Sequence, residues 1–210
     1  LVFKKLTGKD ATTLIDRGFS INPRLLLIKI LSPVDVLVTA PDGKRIGKDF
    51  ASGNEVNEID GAFYSGFLTD NEYLTIPNPL DGEYKVGVQG TGSGSYTIST
   101  GYITDEVLVE NDFTGETAPG LVSDLNLTLN NSTPEEIGFI ITLDDVILDI
   151  EMAYNQGWIT KKSVKDNLMR SLRKDHIRNF TRLLEREHPK HINDQAYNLL
   201  KEDINWLLNN

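Results

Sequence analysis

Four groupings in the sequence combine residue types that could do chemistry. The first is Gly90-Thr91-Gly92-Ser93-Gly94, at the centre of EYKVGVQGTGSGSYTIST. A glycine loop cradles a phosphate when it leads from a strand into a helix, whose free N–H groups then meet the anion. Here the β-branched run YTIST follows, and Ser95 and Tyr96 stand where a phosphate loop carries Lys. The segment therefore predicts a bend between two strands. The second grouping is His188-Pro189-Lys190-His191, with Glu187 before it as a third ligand for zinc. Zinc-protease helices space their histidines four apart on one face. This pair is three apart and straddles a helix-breaking proline, which reads as a helix end. No serine has glycines at the Gly-x-Ser-x-Gly spacing, and His176, His188 and His191 all fall in the last quarter of the chain, so a hydrolytic triad is not expected.

The third grouping is acidic. Glu55 with Glu58, Asp105 with Glu106, and Asp144 with Asp145 are neighbours in sequence, but glycoside hydrolysis needs two carboxyls facing each other across a cleft at a set separation. Calcium is the more physical use of acidic loops, since it takes about six to eight hard oxygens. Asp70, Asn71 and Glu72, or Glu110, Asn111 and Asp112, would supply them, although neither triplet follows the D-x-D-x-D-G order. The expectation is no obligatory cofactor, with calcium as the ion that would fit. The fourth grouping is aromatic: Phe63, Tyr64, Phe67 and Tyr73. Exposed on a sheet face, such rings stack on sugars or on a partner; turned inward, they are core. Tyr64, Phe67 and Tyr73 are the binding candidates, Tyr64 first among them. Asn126, Asn131 and Asn179 each begin an Asn-x-Ser/Thr triplet, which matters only in a secretory cell.

The elements that position these residues change character along the chain. From Leu25 to Ile103 the hydrophobic period is two: LLLIKI, the alternation Val34, Val36 and Val38, a Pro41-Asp42-Gly43 turn and a returning strand from Lys44 to Gly47. Residues 48–61 are polar and turn-rich. Leu74 and Ile76 share a face in NEYLTI, and Tyr84, Val86 and Val88 share one in EYKVGV; Tyr96 and Ile98 continue it. Further strands are expected at 102–110 and 125–130. About seven short antiparallel strands broken by Pro, Gly and Asp turns predict a β-sandwich, Ig-like or jelly-roll-like.

After Asn131-Ser132-Thr133-Pro134 the period lengthens. Leu143, Val146, Ile147, Ile150 and Tyr154 recur at helical spacing, Gly157 ends that run, and Trp158 folds back on it. Thr160 is the expected cap of a second helix with Val164, Leu168, Leu172, Ile177, Phe180, Leu183 and Leu184 inward, ended by Pro189. A last helix starts at Asn193 or Asp194 and turns Ala196, Tyr197, Leu200, Ile204 and Leu207 inward. The expected organisation is a connector over 1–24, a sandwich over 25–131 and a small helical bundle over 138–210.

Charge follows the same division. Residues 1–48 hold nine Lys or Arg against four Asp or Glu; residues 49–160 hold Lys85 alone against twenty acids; residues 161–210 hold eleven against seven. The acidic middle repels phosphate backbones, so a nucleic-acid partner is not expected. With 39% hydrophobic residues the chain can bury a core, and with no cysteine it can hold neither disulfides nor thiolate metals. It opens on Leu1 with no apolar run of membrane-spanning length, which reads as a piece of a longer polypeptide that does not insert into membranes.

Three segments, SPVDVLVTAPDGKRIG, NEIDGAFYSG and IPNPLDGEYKVGVQGTGSGSYTIST, resemble the C-terminal β modules appended to secreted or surface proteins of bacteria and archaea, some lipase-like hydrolases among them. The last also resembles the ending of bacterial pre-peptidase C-terminal domains. The likeness covers about residues 25–103. YNQGWITKKSVKDNLMRSLRK and INDQAYNLLKEDINWLL look like the small helical domain called FIMAH, through the spacing of Gly157, Ile159, Leu168 and Leu172 and the terminal helix; Lys174-Asp175 stand where that family carries Ala. These resemblances imply an extracellular or cell-surface accessory module that carries no catalytic residues. Its partners would be other domains of the parent protein or a cell-surface component. A calcium-dependent carbohydrate-binding domain, and part of a hydrolase whose catalytic domain lies upstream, are the alternatives.

Overall fold

The computed structural model describes residues 24–134, 137–173 and 177–209. The expected connector lies almost wholly outside them, as do Lys174, Asp175 and His176. The strands are β1 (Leu25–Leu31), β2 (Val34–Thr39), β3 (Arg45–Asp49), β4 (Asn54–Asn57), β5 (Phe63–Tyr64), β6 (Asn71–Pro77), β7 (Gly82–Gly90), β8 (Gly94–Ile103), β9 (Leu108–Thr117), β10 (Val122–Leu129) and β11 (Gly138–Ile140). They form a five-stranded sheet in the order β5-β6-β1-β8-β9 and a six-stranded sheet in the order β11-β10-β7-β2-β3-β4, with every pairing antiparallel. The molecule is a β-sandwich followed by helices.

Period-two alternation builds the interior. Leu26, Ile28 and Ile30 of β1 face Val34, Val36 and Val38 of β2 and Tyr84, Val86 and Val88 of β7, all essentially without solvent contact. Burying each side chain of this size contributes roughly 1.5–3 kcal/mol. The buried Tyr102 donates its hydroxyl to Asn131 Oδ1 at 2.7 Å, and Asn131 Nδ2 donates to the Pro79 carbonyl at 2.9 Å. Asn131 thus closes one end of the sandwich, and its side-chain amide is already engaged by the fold.

The glycine segment joins β7 in one sheet to β8 in the other. Gly90 is required by close approach: a Cβ there would lie 2.1 Å from the Ala118 carbonyl oxygen. Thr91 N–H donates to the Pro33 carbonyl at 2.9 Å, which stitches this crossover to the one between β1 and β2. The segment is a sheet-to-sheet corner, as its context predicts.

Several expected boundaries move. The strand expected over 102–110 is interrupted, because Thr104 Oγ1 accepts the N–H groups of Glu106 and Val107 and turns β8 into β9. Side-chain acceptance of this kind competes with a continuing strand. A strand, β4, lies inside the polar stretch 48–61, paired along the exposed edge of β3. Residues 138–140, placed with the helical unit by sequence, form β11 on β10. Eleven strands, rather than about seven, make up the described sandwich.

Four helices follow: α1 (Leu143–Asn155), α2 (Lys162–Arg173), α3 (Ile177–Glu187) and α4 (Asp194–Asn209). Thr142 and Asp145 cap α1 reciprocally, each satisfying a backbone N–H of the other. The expected long second helix is two, α2 and α3. Thr160 does not cap α2; its hydroxyl reaches the His191 carbonyl instead, and an antiparallel bridge pairs Ile159 with Ile192. Asn193 caps α4 through Ala196 N–H at 3.0 Å. Val146, Ile150, Trp158, Leu168, Phe180, Leu184 and Leu200 share a second core, while Leu143 stands outside it. That core includes Ala118 and packs on Phe113 and Leu121 of the sandwich. Phe113 stacks obliquely on Tyr96 of its own sheet and on Phe139 of β11, with ring centroids 6.3 and 5.4 Å apart, so rings from both sheets meet beneath the helices.

Candidate functional site

Strand alternation separates the expected site residues. In Asp70-Asn71-Glu72 the last carboxylate points into the sandwich, 1% exposed, while Asp70 and Asn71 face solvent. Glu110 and Asp112 lie on the outer face of β9, whereas Asn111 turns inward and donates to the Ile137 carbonyl at 2.6 Å. Neither triplet converges on a calcium-sized space, and among the described residues no group of three or more His, Asp or Glu could hold a metal ion. His188 Nε2 lies 2.7 Å from Asp194 Oδ1 and its ring stacks on Tyr197, while the His191 carbonyl accepts from Thr160 N–H.

Tyr64, the first binding candidate, is buried rather than presented. Its hydroxyl donates to Glu72 Oε2 at 2.5 Å, and Val36 N–H donates to the same oxygen at 3.3 Å. Lys48, at 2.5 Å from Asp35 Oδ2, closes this cluster and lies 4.9 Å from the centre of the half-buried Phe67 ring. Burial pushes the Glu72 carboxyl up to about 8, with the charge of Asp35 adding to it against the hydrogen bond from Tyr64. Burial, then the Glu72 contact, raises the Tyr64 phenol far above its usual range. The cluster is buried, with Glu72 Oε1 meeting no hydrogen-bond partner among the described residues. Of the aromatic candidates, Tyr73 remains on the surface at 41% exposure, one sheet position from Phe63 at 57%, with the Lys29 ammonium 5.9 Å from its ring centre.

The larger concave feature lies where sandwich and helices meet. A cleft of about 680 Å³ separates α1 from β10. At its rim Lys85 pairs with Asp124 at 2.9 Å. In its depth stand Tyr96 and Phe113 from the five-stranded sheet and Leu199 and Asp203 from α4. Asp145 and Asp149, one turn apart on α1, enter from the other side. Asp145 is engaged by its cap, accepting from Thr142 N–H at 2.7 Å. Asp203 is 2% exposed, and among the described residues no N–H or hydroxyl group reaches its Oδ2. It instead shares a hydrogen bond with Asp149, which requires a proton between the two carboxyls. Burial raises Asp149 to about 7, helped by the charge of Asp145; burial and the charge of Asp149 raise Asp203 well above the carboxylate range.

Gly115 makes this arrangement possible. It lies opposite Tyr96 in the β8–β9 register, and a Cβ there would stand 2.5 Å from the Tyr96 hydroxyl. Without a side chain at 115, the phenol lies over β9 toward the acid pair. Burial, then the charges of Asp149, Asp203 and Glu116, suppress its ionisation.

Sequence reading missed this pair because its members are 54 positions apart on different helices. One signal existed: Asp203 occupies a position of the inward stripe formed by Ala196, Leu200 and Ile204. An acid in an apolar stripe is costly unless paired or protonated.

No family model and no curated protein matches the chain. Among solved structures, the crystal structure of a domain of unknown function, DUF4425, from Bacteroides vulgatus is similar over 54% of this chain and 98% of that one, at 13% identity and a TM-score of 0.32.

Proposed function

We propose that the protein is a non-catalytic interaction module of a larger secreted or cell-surface protein, serving docking, spacing or surface attachment. The observation that carries this reading is the outer face at the β5–β6 edge of the five-stranded sheet. Phe63 and Tyr73 stand exposed there beside Lys29, three strands from the edge that the helices pack on. Exposed aromatic rings are among the residue types that anchor protein interfaces. Leu68, in the adjoining loop and 90% exposed, extends the apolar surface. The resemblances of residues 25–103 and of the helical region to accessory domains of extracellular proteins support the same reading, as does an acidic middle segment that favours solubility.

Carbohydrate binding is a second reading, favoured by the same two rings, which can stack on a sugar face. Both readings are tested with the double variant Phe63→Ser/Tyr73→Ser. The wild-type chain should sediment with an isolated cell-surface fraction and the variant should not, at unchanged melting temperature. Release of the wild type by soluble glycans would select the carbohydrate reading. Equal sedimentation of both proteins would contradict the assignment of this face, and turnover of ester or glycoside substrates by the chain alone would contradict a non-catalytic role.

A further inference from the structure

We propose that the cleft between α1 and β10 binds an organic cation, an ammonium or guanidinium group at the end of an aliphatic stem, with Asp203 and Asp149 as its acceptors. The proposal is independent of the docking face, which lies on the far edge of the sandwich.

Buried carboxyls are normally paired with a cation or with several donors. Asp203 has neither among the described residues: its partner is a second carboxyl, Asp149, with which it shares a proton. The surrounding charges do not supply the missing partner. From α1 come Asp145 and Glu151, from β9 Glu116, and from α4 Glu202 beside Asp203. The cation lining the cleft, Lys85, is already held by Asp124 at the rim, and Lys165 sits 4.0 Å from Glu151. The described chain therefore concentrates acidic groups around a carboxyl pair that only a shared proton bridges. A ligand that brings N–H donors and a positive charge takes the place of that proton.

The walls specify what carries that charge. Tyr96 and Phe113 present ring surface, and Leu199 and Met152 present aliphatic surface, beside the acid pair. Rings attract cations and apolar walls receive methylenes, so an alkylated cation fits better than a hydrated ion. A metal ion would lack ligands, since no group of three or more suitable side chains converges among the described residues. The volume of about 680 Å³ is that of a small-ligand site. Binding displaces the proton shared by the two carboxyls into solvent, because the arriving cation favours their ionised forms.

The test is calorimetric titration of the full 210-residue chain at pH 7 with butylguanidinium, butylammonium, the blocked peptides Gly-Arg-Gly and Gly-Lys-Gly, and calcium chloride. Measurement in two buffers of different ionisation enthalpy reads proton release. The organic cations should bind with proton release, and affinity should fall at least about tenfold at pH 5, where the pair is protonated, and about tenfold or more in Asp203→Asn. Tighter binding of the peptides than of the free amines would assign the cation to a partner polypeptide; the reverse order would assign it to a small amine. No binding by any organic cation, binding without proton release, or calcium binding in their place would overturn the proposal. The pH comparison uses the wild-type chain, so it decides even if Asp203→Asn does not fold.

Discussion

Glu72 occupies an inward position of β6, in phase with Leu74 and Ile76, and the fold accommodates it by holding it protonated between Tyr64 and Asp35. Its folded value, about 8, exceeds the ordinary 4.5, so the folded state keeps a proton that the unfolded chain releases. The stability linked to that proton is complete below the ordinary value and is lost as pH rises through about 8. Glu72→Gln, which keeps the shape and a donor toward Asp35, should flatten the melting-temperature profile over that window and should not lower stability at its alkaline end. A steeper profile in the variant would contradict the assignment. Tyr64→Phe removes the buried donor and should cost about 1–2 kcal/mol in denaturant unfolding. Gly115→Ala should cost about 1–3 kcal/mol, because a methyl group must displace the Tyr96 ring. These acids were legible as anomalies, polar residues in phase with an apolar pattern, but their partners were not. Tyr64 meets Glu72 through the β5–β6 register, and Asp149 meets Asp203 through the packing of α1 on α4.

At the scale of elements, alternation located most of the described sandwich because each strand buries one face and wets the other. The reading failed where strands are short or polar: β4 and β5 lie at sheet edges, and β11 has three residues. Edge strands take their order from a neighbour rather than from their own pattern. The helices were legible by stripe, yet one expected helix is described as two, α2 and α3, because continuous apolar spacing does not mark where one helix ends and the next begins. Thr142→Ala removes the side-chain half of the α1 cap, leaving the backbone N–H of residue 142 on Asp145, and should cost about 1 kcal/mol. Phe113→Ala should cost more, about 3 kcal/mol, because that ring joins Tyr96, Phe139 and the helical core. Equal effects of the two substitutions would argue against Phe113 as the seam between the layers.

Across the whole molecule, the change from strands to helices falls between Ile140 and Leu143, beyond the division expected at residues 131–138, and the packing continues across it. Ala118, Leu121 and Phe113 of the sandwich side belong with the helical core, and α4 lies on β9. The junction so formed brings the acid pair together, inside a chain whose middle segment carries twenty acids against one lysine. The most direct test is carbon-detected NMR titration of the aspartate carboxyls in the full chain. The account predicts that Asp149 titrates near 7, that Asp203 stays protonated above the ordinary range, and that substituting either one to Asn shifts the other. Two independent transitions near the ordinary aspartate value would show that the carboxyls do not meet, and the cleft would lose its chemistry.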